Sequence, residues 1–224
     1  VKAKNSAGTS GYSDASAAYT KPSTPTTSII NTSSIKVSWS GSGGNTSYEL
    51  LARKAGDADY TTIAQNINGY TYTHSGLEAG TQYYYKIKAH NNEHSSVVSA
   101  RSDAGYGYTK LNSPWITRKT ADTVSLDWSR GVLNGDYNYT YRIRRKTSYD
   151  ADYTNIAVVS NSSYTDYNLQ PNTTYRYYVD VLRNGSYCVH SETVDVTTNE
   201  QPATQIALST AEATLTPGQT YQLY

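Results

Sequence analysis

Within the stretch from Leu77 to Asn91, the nine residues from Gln82 to His90 alternate between two faces without a break. Tyr83, Tyr85, Ile87 and Ala89 share one face, and Gln82, Tyr84, Lys86, Lys88 and His90 share the other. A period of two over this length predicts a half-buried strand. Leu77 and a corner containing Gly80 precede it, and Tyr83 heads it. A leucine, a tight corner and a tyrosine opening a long alternating strand form the pattern of a tyrosine corner. The device recurs from Leu169 through Pro171 and Thr173 to Tyr175, Tyr177, Val179 and Val181. The end of the strand recurs once more at Val1-Lys-Ala3-Lys-Asn5, which matches Ile87-Lys-Ala89-His-Asn91.

The rest of the chain repeats around these strands. Ile35-Lys-Val37-Ser-Trp39 alternates and predicts Trp39 on a core face; Val124-Ser-Leu126-Asp-Trp128 answers it. Tyr48 to Lys54 and Tyr139 to Lys146 read as the next strands, separated from the first by turns such as Gly41 to Asn45. Asp57 to Ala64 and Asp150 to Ala157 read as a turn feeding a short strand, and Val97 to Tyr108 closes the first repeat. Trp39 to Trp128 is 89 residues, and Leu77 to Leu169 is 92. A period near 90, built from short strands and turns with no helix, predicts an all-β chain of tandem immunoglobulin-like sandwiches. The expected boundaries are 1–21 (the last strands of one domain), 22–110, 111–199, and a final stretch of different character at 203–224.

Composition narrows the function classes. Charged residues are 17% of the 224, and the net charge is +1, so nothing points to nucleic acid or an anionic membrane. No apolar run approaches the ~20 residues that span a bilayer. Cys188 is the one cysteine, so no internal disulfide holds the fold. The chain starts inside a repeat without an initiator Met, which reads as a piece of a longer protein. There are 24 Tyr but no Phe and no Met, although two sandwich cores would ordinarily include Phe.

Both repeats resemble fibronectin type III domains. The resemblance rests on Trp39 and Trp128, on the corner leucines Leu77 and Leu169, and on the strands headed by Tyr83 and Tyr175. It covers most of 22–199, with 1–21 as a tail. Two positions depart from the family pattern: Gly80 follows Ala79 where proline is usual, and Asn172 replaces the usual glycine. Residues 203–224 resemble the first strands of a bacterial immunoglobulin-like domain of the Big type, through Ile206-Ala-Leu208 and Ala213-Thr-Leu215-Thr-Pro217-Gly218. The combination resembles a bacterial secreted or cell-surface protein, with a phage structural protein as a second source.

Candidate chemistry is sparse, and no catalytic, cofactor-binding or metal-binding residue is expected. His74, His90, His94 and His190 form no metal spacing with one another. Cys188 lacks a His-Asp arrangement and reads as a half-buried filler or a surface thiol. Asp57-Ala-Asp59-Tyr60 and Asp150-Ala-Asp152-Tyr153 invite a calcium reading, but two acids are too few, and a polar turn explains them. Arg142, Arg144, Arg145, Lys146 and Arg183 make the second repeat locally basic; a solvated sheet face is the plain reading, against a site for an anionic glycan or nucleic acid. Tyr84, Tyr106, Tyr108, Tyr149 and Tyr178 are candidate exposed aromatics for sugar stacking or subunit contact, against cross-strand pairing as the plain alternative. Tyr84, Tyr178, Arg142 and Arg144 are thus the candidate surface-binding residues. Asn31, Asn45, Asn138, Asn161, Asn172 and Asn184 head N-x-Ser/Thr triplets of the kind an Asn/Thr-rich chain produces by chance.

Three functions follow as expectations. The first is a non-catalytic extracellular array acting as a rod, spacer or surface fibre. Its partners would be other modules or subunits met through sandwich ends and edge strands, or a cell-wall or extracellular glycan. The second is a spacer in a secreted polysaccharide-degrading enzyme whose carboxylate pair lies elsewhere. The third is a binding module for a glycan or protein, carried by exposed tyrosines.

Overall fold

A computed structural model describes residues 2–10, 20–41, 46–93, 97–129 and 139–202. Most of the expected last strand of the 1–21 stretch (11–19), most of the Gly41 to Asn45 turn, His94, Asn138 and the whole of 203–224 lie outside the described residues. The described chain is strand and turn throughout. In order the strands are β1 (Lys4–Asn5), β2 (Gly8–Thr9), β3 (Thr26–Ile29), β4 (Ser34–Ser38), β5 (Thr46–Lys54), β6 (Thr61–Ile67), β7 (Thr71–Ser75), β8 (Gln82–Asn91) and β9 (Gly105–Tyr108). They continue with β10 (Trp115–Lys119), β11 (Val124–Asp127), β12 (Tyr139–Thr147), β13 (Thr154–Val159), β14 (Ser163–Asp166), β15 (Thr174–Arg183), β16 (Ser186–His190) and β17 (Val194–Thr197).

Strands β1 and β2 form a small hairpin. The others make two sandwiches with the same wiring. In the first, β3-β4-β7 faces β6-β5-β8-β9; in the second, β10-β11-β14 faces β13-β12-β15-β16, with β17 also paired to β15. The strands pair antiparallel, with an isolated parallel bridge between Leu111 and Ser191, and the long central pairs β5·β8 and β12·β15 each run through nine matched positions.

Alternation along these strands builds the cores. Ile35, Val37, Trp39, Tyr48, Leu50, Tyr85 and Ile87 are buried together in the first repeat. Val124, Leu126, Trp128, Tyr141, Ile143, Tyr177 and Val179 are buried together in the second. The two tryptophans make the same edge contact: Trp39 with Tyr48 at 5.7 Å and Trp128 with Tyr141 at 5.5 Å. A buried aromatic side chain removes some 150–250 Å² from water, so such pairs dominate core energetics.

The repeats are stitched end to end. Lys110 donates its N–H to Asn31 O and accepts from Gly80 N–H, both within the first repeat. The next residue, Leu111, donates its N–H to His190 O and accepts from Glu192 N–H, both in the second. Its side chain is fully buried in the second core, which Tyr108 also enters and against which Ile29 packs. A Lys110–Glu192 ion pair at 3.2 Å closes the seam.

Candidate functional site

The two corners have one geometry. Tyr83 Oη accepts the Glu78 N–H at 3.0 Å, and Tyr175 Oη accepts the Gln170 N–H at 2.9 Å. Leu77 N–H bonds to Ser33 O and Leu169 N–H to Asp122 O, which ties each corner to the turn that precedes β4 or β11. Gly80 has φ 60° and Asn172 has φ 48°, so both corners need a left-handed residue. Asparagine is the non-glycine residue that tolerates this region best, which accounts for the Asn172 departure.

The hydroxyl one turn of alternation further along is used differently in each repeat. Tyr85 Oη and His74 Nδ1 share a 3.2 Å hydrogen bond, and burial holds the His74 pKa below its ordinary value. At the matching place Tyr177 donates to Asp166 Oδ2 at 2.8 Å, and Arg145 donates to the same oxygen at 2.9 Å. Burial pushes both tyrosine hydroxyls well above their ordinary range.

The outer face of the β6-β5-β8-β9 sheet carries cations laid on rings. The Arg53 guanidinium sits 4.4 Å from the centre of the Tyr84 ring, and Lys86 Nζ sits 4.7 Å from that of Tyr60. Tyr84 lies 6.3 Å from Tyr106. In the second repeat Tyr178 contacts Tyr153 at 4.6 Å and His190 at 5.7 Å, and His190 contacts Tyr187 at 6.2 Å. Arg144 lies 6.0 Å from the Tyr178 ring. Between the two faces, at the seam, is an open cleft of about 350 Å³ lined by Ile29, Tyr106, Tyr108, Arg183, Tyr187 and Cys188 among others.

Tyr84 and Tyr178 are half-buried outward residues, and Tyr106 and Tyr149 are exposed. Tyr108, expected to be exposed, is buried, because it points across the seam into the second core. Arg142 is engaged with Asp180 at 2.7 Å, so its charge is directed at the sheet. Arg145 faces inward to Asp166, and the basic cluster of β12 is therefore split between the two sides of the sheet. Among the described residues, sequence reasoning passed over four exposed aromatics: Tyr70, Trp115, Tyr167 and Tyr187. Tyr187 could have been found from Asn184-Gly185: both have positive φ, the signature of a two-residue hairpin turn, and this fixes Tyr187 opposite Leu182.

The remaining candidates have local roles. Asp57 Oδ2 accepts Lys54 N–H, and Asp150 Oδ2 accepts Thr147 N–H and Oγ1–H, so the first acid of each Asp-Ala-Asp-Tyr stretch closes the turn before it. These bonds from Thr147 hold the Asp150 carboxyl below its ordinary pKa. His90 bonds Glu49 at 3.1 Å. Burial alone would raise the Glu49 pKa, but the Thr62 hydroxyl, His90 and Lys88 outweigh it and hold the carboxyl low. Cys188 is a half-buried free thiol. No helix among the described residues is long and apolar enough to cross a membrane.

Residues 20–103 match the family model of the fibronectin type III domain. Together with the repeated wiring, this makes the described chain an all-β tandem of fibronectin type III-like sandwiches. Among curated proteins the chain is similar to Chitinase 63 of Streptomyces plicatus, at 41% identity over 71 residues; this is 30% of the chain and spans 10% of that protein's length. Among solved structures it aligns with the FN1-FN3 domains of chicken CNTN1 at 20% identity and a TM-score of 0.36, covering 82% of this chain and 69% of that one. It also aligns with a two-domain fibronectin type III segment of chicken tenascin at 17% identity and a TM-score of 0.41, covering 80% and 98%.

Proposed function

We propose that this chain is a non-catalytic extracellular array whose sandwiches act as a semi-rigid spacer. The observation that carries the reading is the seam. Adjacent residues Lys110 and Leu111 are hydrogen-bonded into different repeats, and Leu111 is anchored in the second core. A linker with no free residue between two anchored ones transmits orientation, whereas a Gly/Ser linker of several residues would not. The two ends of the array are thereby held at a set separation, as a rod between other modules or subunits requires.

The match to a chitinase favours one setting, an accessory stretch of a secreted polysaccharide-degrading enzyme. A surface rod or fibre is the alternative setting for the same device. Incubating the chain with soluble and insoluble polysaccharides and assaying reducing ends tests the non-catalytic claim: no release is expected, and turnover would overturn it. Peptide mass spectrometry of the intact source protein beyond Val1 and Tyr224 then separates the settings. A catalytic domain supports the enzyme spacer, and further sandwiches support the rod.

A further inference from the structure

We propose that the seam cleft and the aromatic rows that run into it form a binding track for a neutral polysaccharide chain. This deepens the spacer reading by giving the rod a surface that holds an extended glycan alongside it.

The rings form two rows, one on each repeat, that both reach the cleft. Tyr84 meets Tyr106 on the first repeat; Tyr106 and Tyr187 stand on opposite repeats and both line the cleft. Tyr187 meets His190, which meets Tyr178, which meets Tyr153 on the second repeat. The two rings at the cleft are the most open of the row, with Tyr106 55% and Tyr187 50% exposed. Ile29 and the buried Tyr108 supply apolar lining, and Arg183 and Ser186 supply polar lining. The space, about 350 Å³, lies at the small end of the range of roughly 300–1,000 Å³ typical of ligand pockets, and it is open rather than enclosed.

The chemistry of the lining selects the ligand. A pyranose presents a face of C–H bonds and a rim of hydroxyls. The C–H face suits the negative face of an aromatic ring, and the rim suits guanidinium and hydroxyl groups such as those of Arg183 and Ser186. Repeated rings in a glycan suit repeated aromatic platforms, which a single small ligand could not span. A nucleic acid is disfavoured by the net charge of +1. A protein partner instead of a glycan would show as no retention by chitin, cellulose or xylan.

Depletion of the chain by insoluble chitin, cellulose and xylan, followed by affinity electrophoresis in a soluble derivative of whichever retains it, reads the site out. Retention by at least one is expected. Tyr106→Ala and Tyr187→Ala should each weaken it by about threefold to tenfold, as loss of one aromatic stacking contact does. Trp115→Ala, an equally exposed ring on β10 in the opposite sheet, should leave it unchanged. Far-UV circular dichroism and thermal unfolding establish that each variant is folded. No retention by any of the three, equal affinity of wild type and both tyrosine variants, or loss confined to Trp115→Ala would each overturn the track. None of these results bears on whether the chain hydrolyses glycans, so the spacer reading stands or falls separately.

Discussion

The two repeats are one frame finished with different polar chemistry. Their corners are interchangeable: Tyr83 and Tyr175 accept the same kind of backbone N–H at nearly the same distance. Two residues further along the frame diverges. In the first repeat Tyr85 stands opposite Ala52 and meets a neutral His74. In the second, Tyr177 stands opposite Arg145 and shares Asp166 with it. A second position inverts outright: the first repeat sets Glu49 opposite Lys88, and the second sets Arg142 opposite Asp180. The sandwich needs the inward hydroxyl to have a partner, because a buried polar group left alone is costly. It does not dictate which partner.

Removing the partners should therefore separate the repeats most strongly. Asp166→Ala leaves the Arg145 guanidinium and the Tyr177 hydroxyl with no acceptor. It should cost about 2–4 kcal/mol, somewhat under the ~3–5 of a fully buried pair, since the Arg145 side chain is 29% exposed. His74→Ala strands no charge and should cost about 1–2 kcal/mol. Denaturant unfolding followed by probes in each repeat would show both; equal costs would erase the distinction.

The corners offer the opposite test, of sameness. Tyr83→Phe and Tyr175→Phe should each cost about 1 kcal/mol and match within error. A large inequality would mean that the shared geometry does not carry shared energy. The left-handed corner residues give a similar check. Gly80→Ala should cost about 1 kcal/mol, and Asn172→Gly should be neutral within about 0.5 kcal/mol, both read from thermal unfolding.

Acid sharpens the contrast by less. The folded-state pKa of His74 lies below the ordinary 6.5 because burial disfavours its charged form. Between that lowered value and 6.5 the unfolded chain binds a proton that the folded repeat does not. Stability in this window therefore falls as pH falls. His74→Asn should flatten this dependence in the first repeat, observed as an unfolding midpoint that no longer shifts between about pH 7.5 and 5.5. His190, lowered by burial and by Lys110, contributes its own dependence in the second repeat. Following each histidine ring by NMR keeps the two apart.

Much of the fold was legible because a period of two is a local signal. The strand from Tyr83 to Ala89 and its echo from Tyr175 to Val181 declare their inward faces without any neighbour. What was not legible depends on distant residues. Arg145 reads as one of a basic cluster until β14 brings Asp166 beneath it. By alternation Tyr108 shares the outward face of Tyr106 and reads as exposed; it is buried because the core it enters belongs to the next repeat. The cleft was hidden for the same reason: Tyr106 and Tyr187 are 81 positions apart and line one cleft only because Leu111 fixes one repeat against the other.

A fixed seam is tested most directly by residual dipolar couplings measured on the chain in a weakly aligning medium. A rigid spacer predicts one alignment tensor fitting both repeats, with the same magnitude and orientation. Two tensors of different magnitude, each fitting its own repeat, would show that the repeats reorient independently about Lys110 and Leu111, and would contradict the spacer.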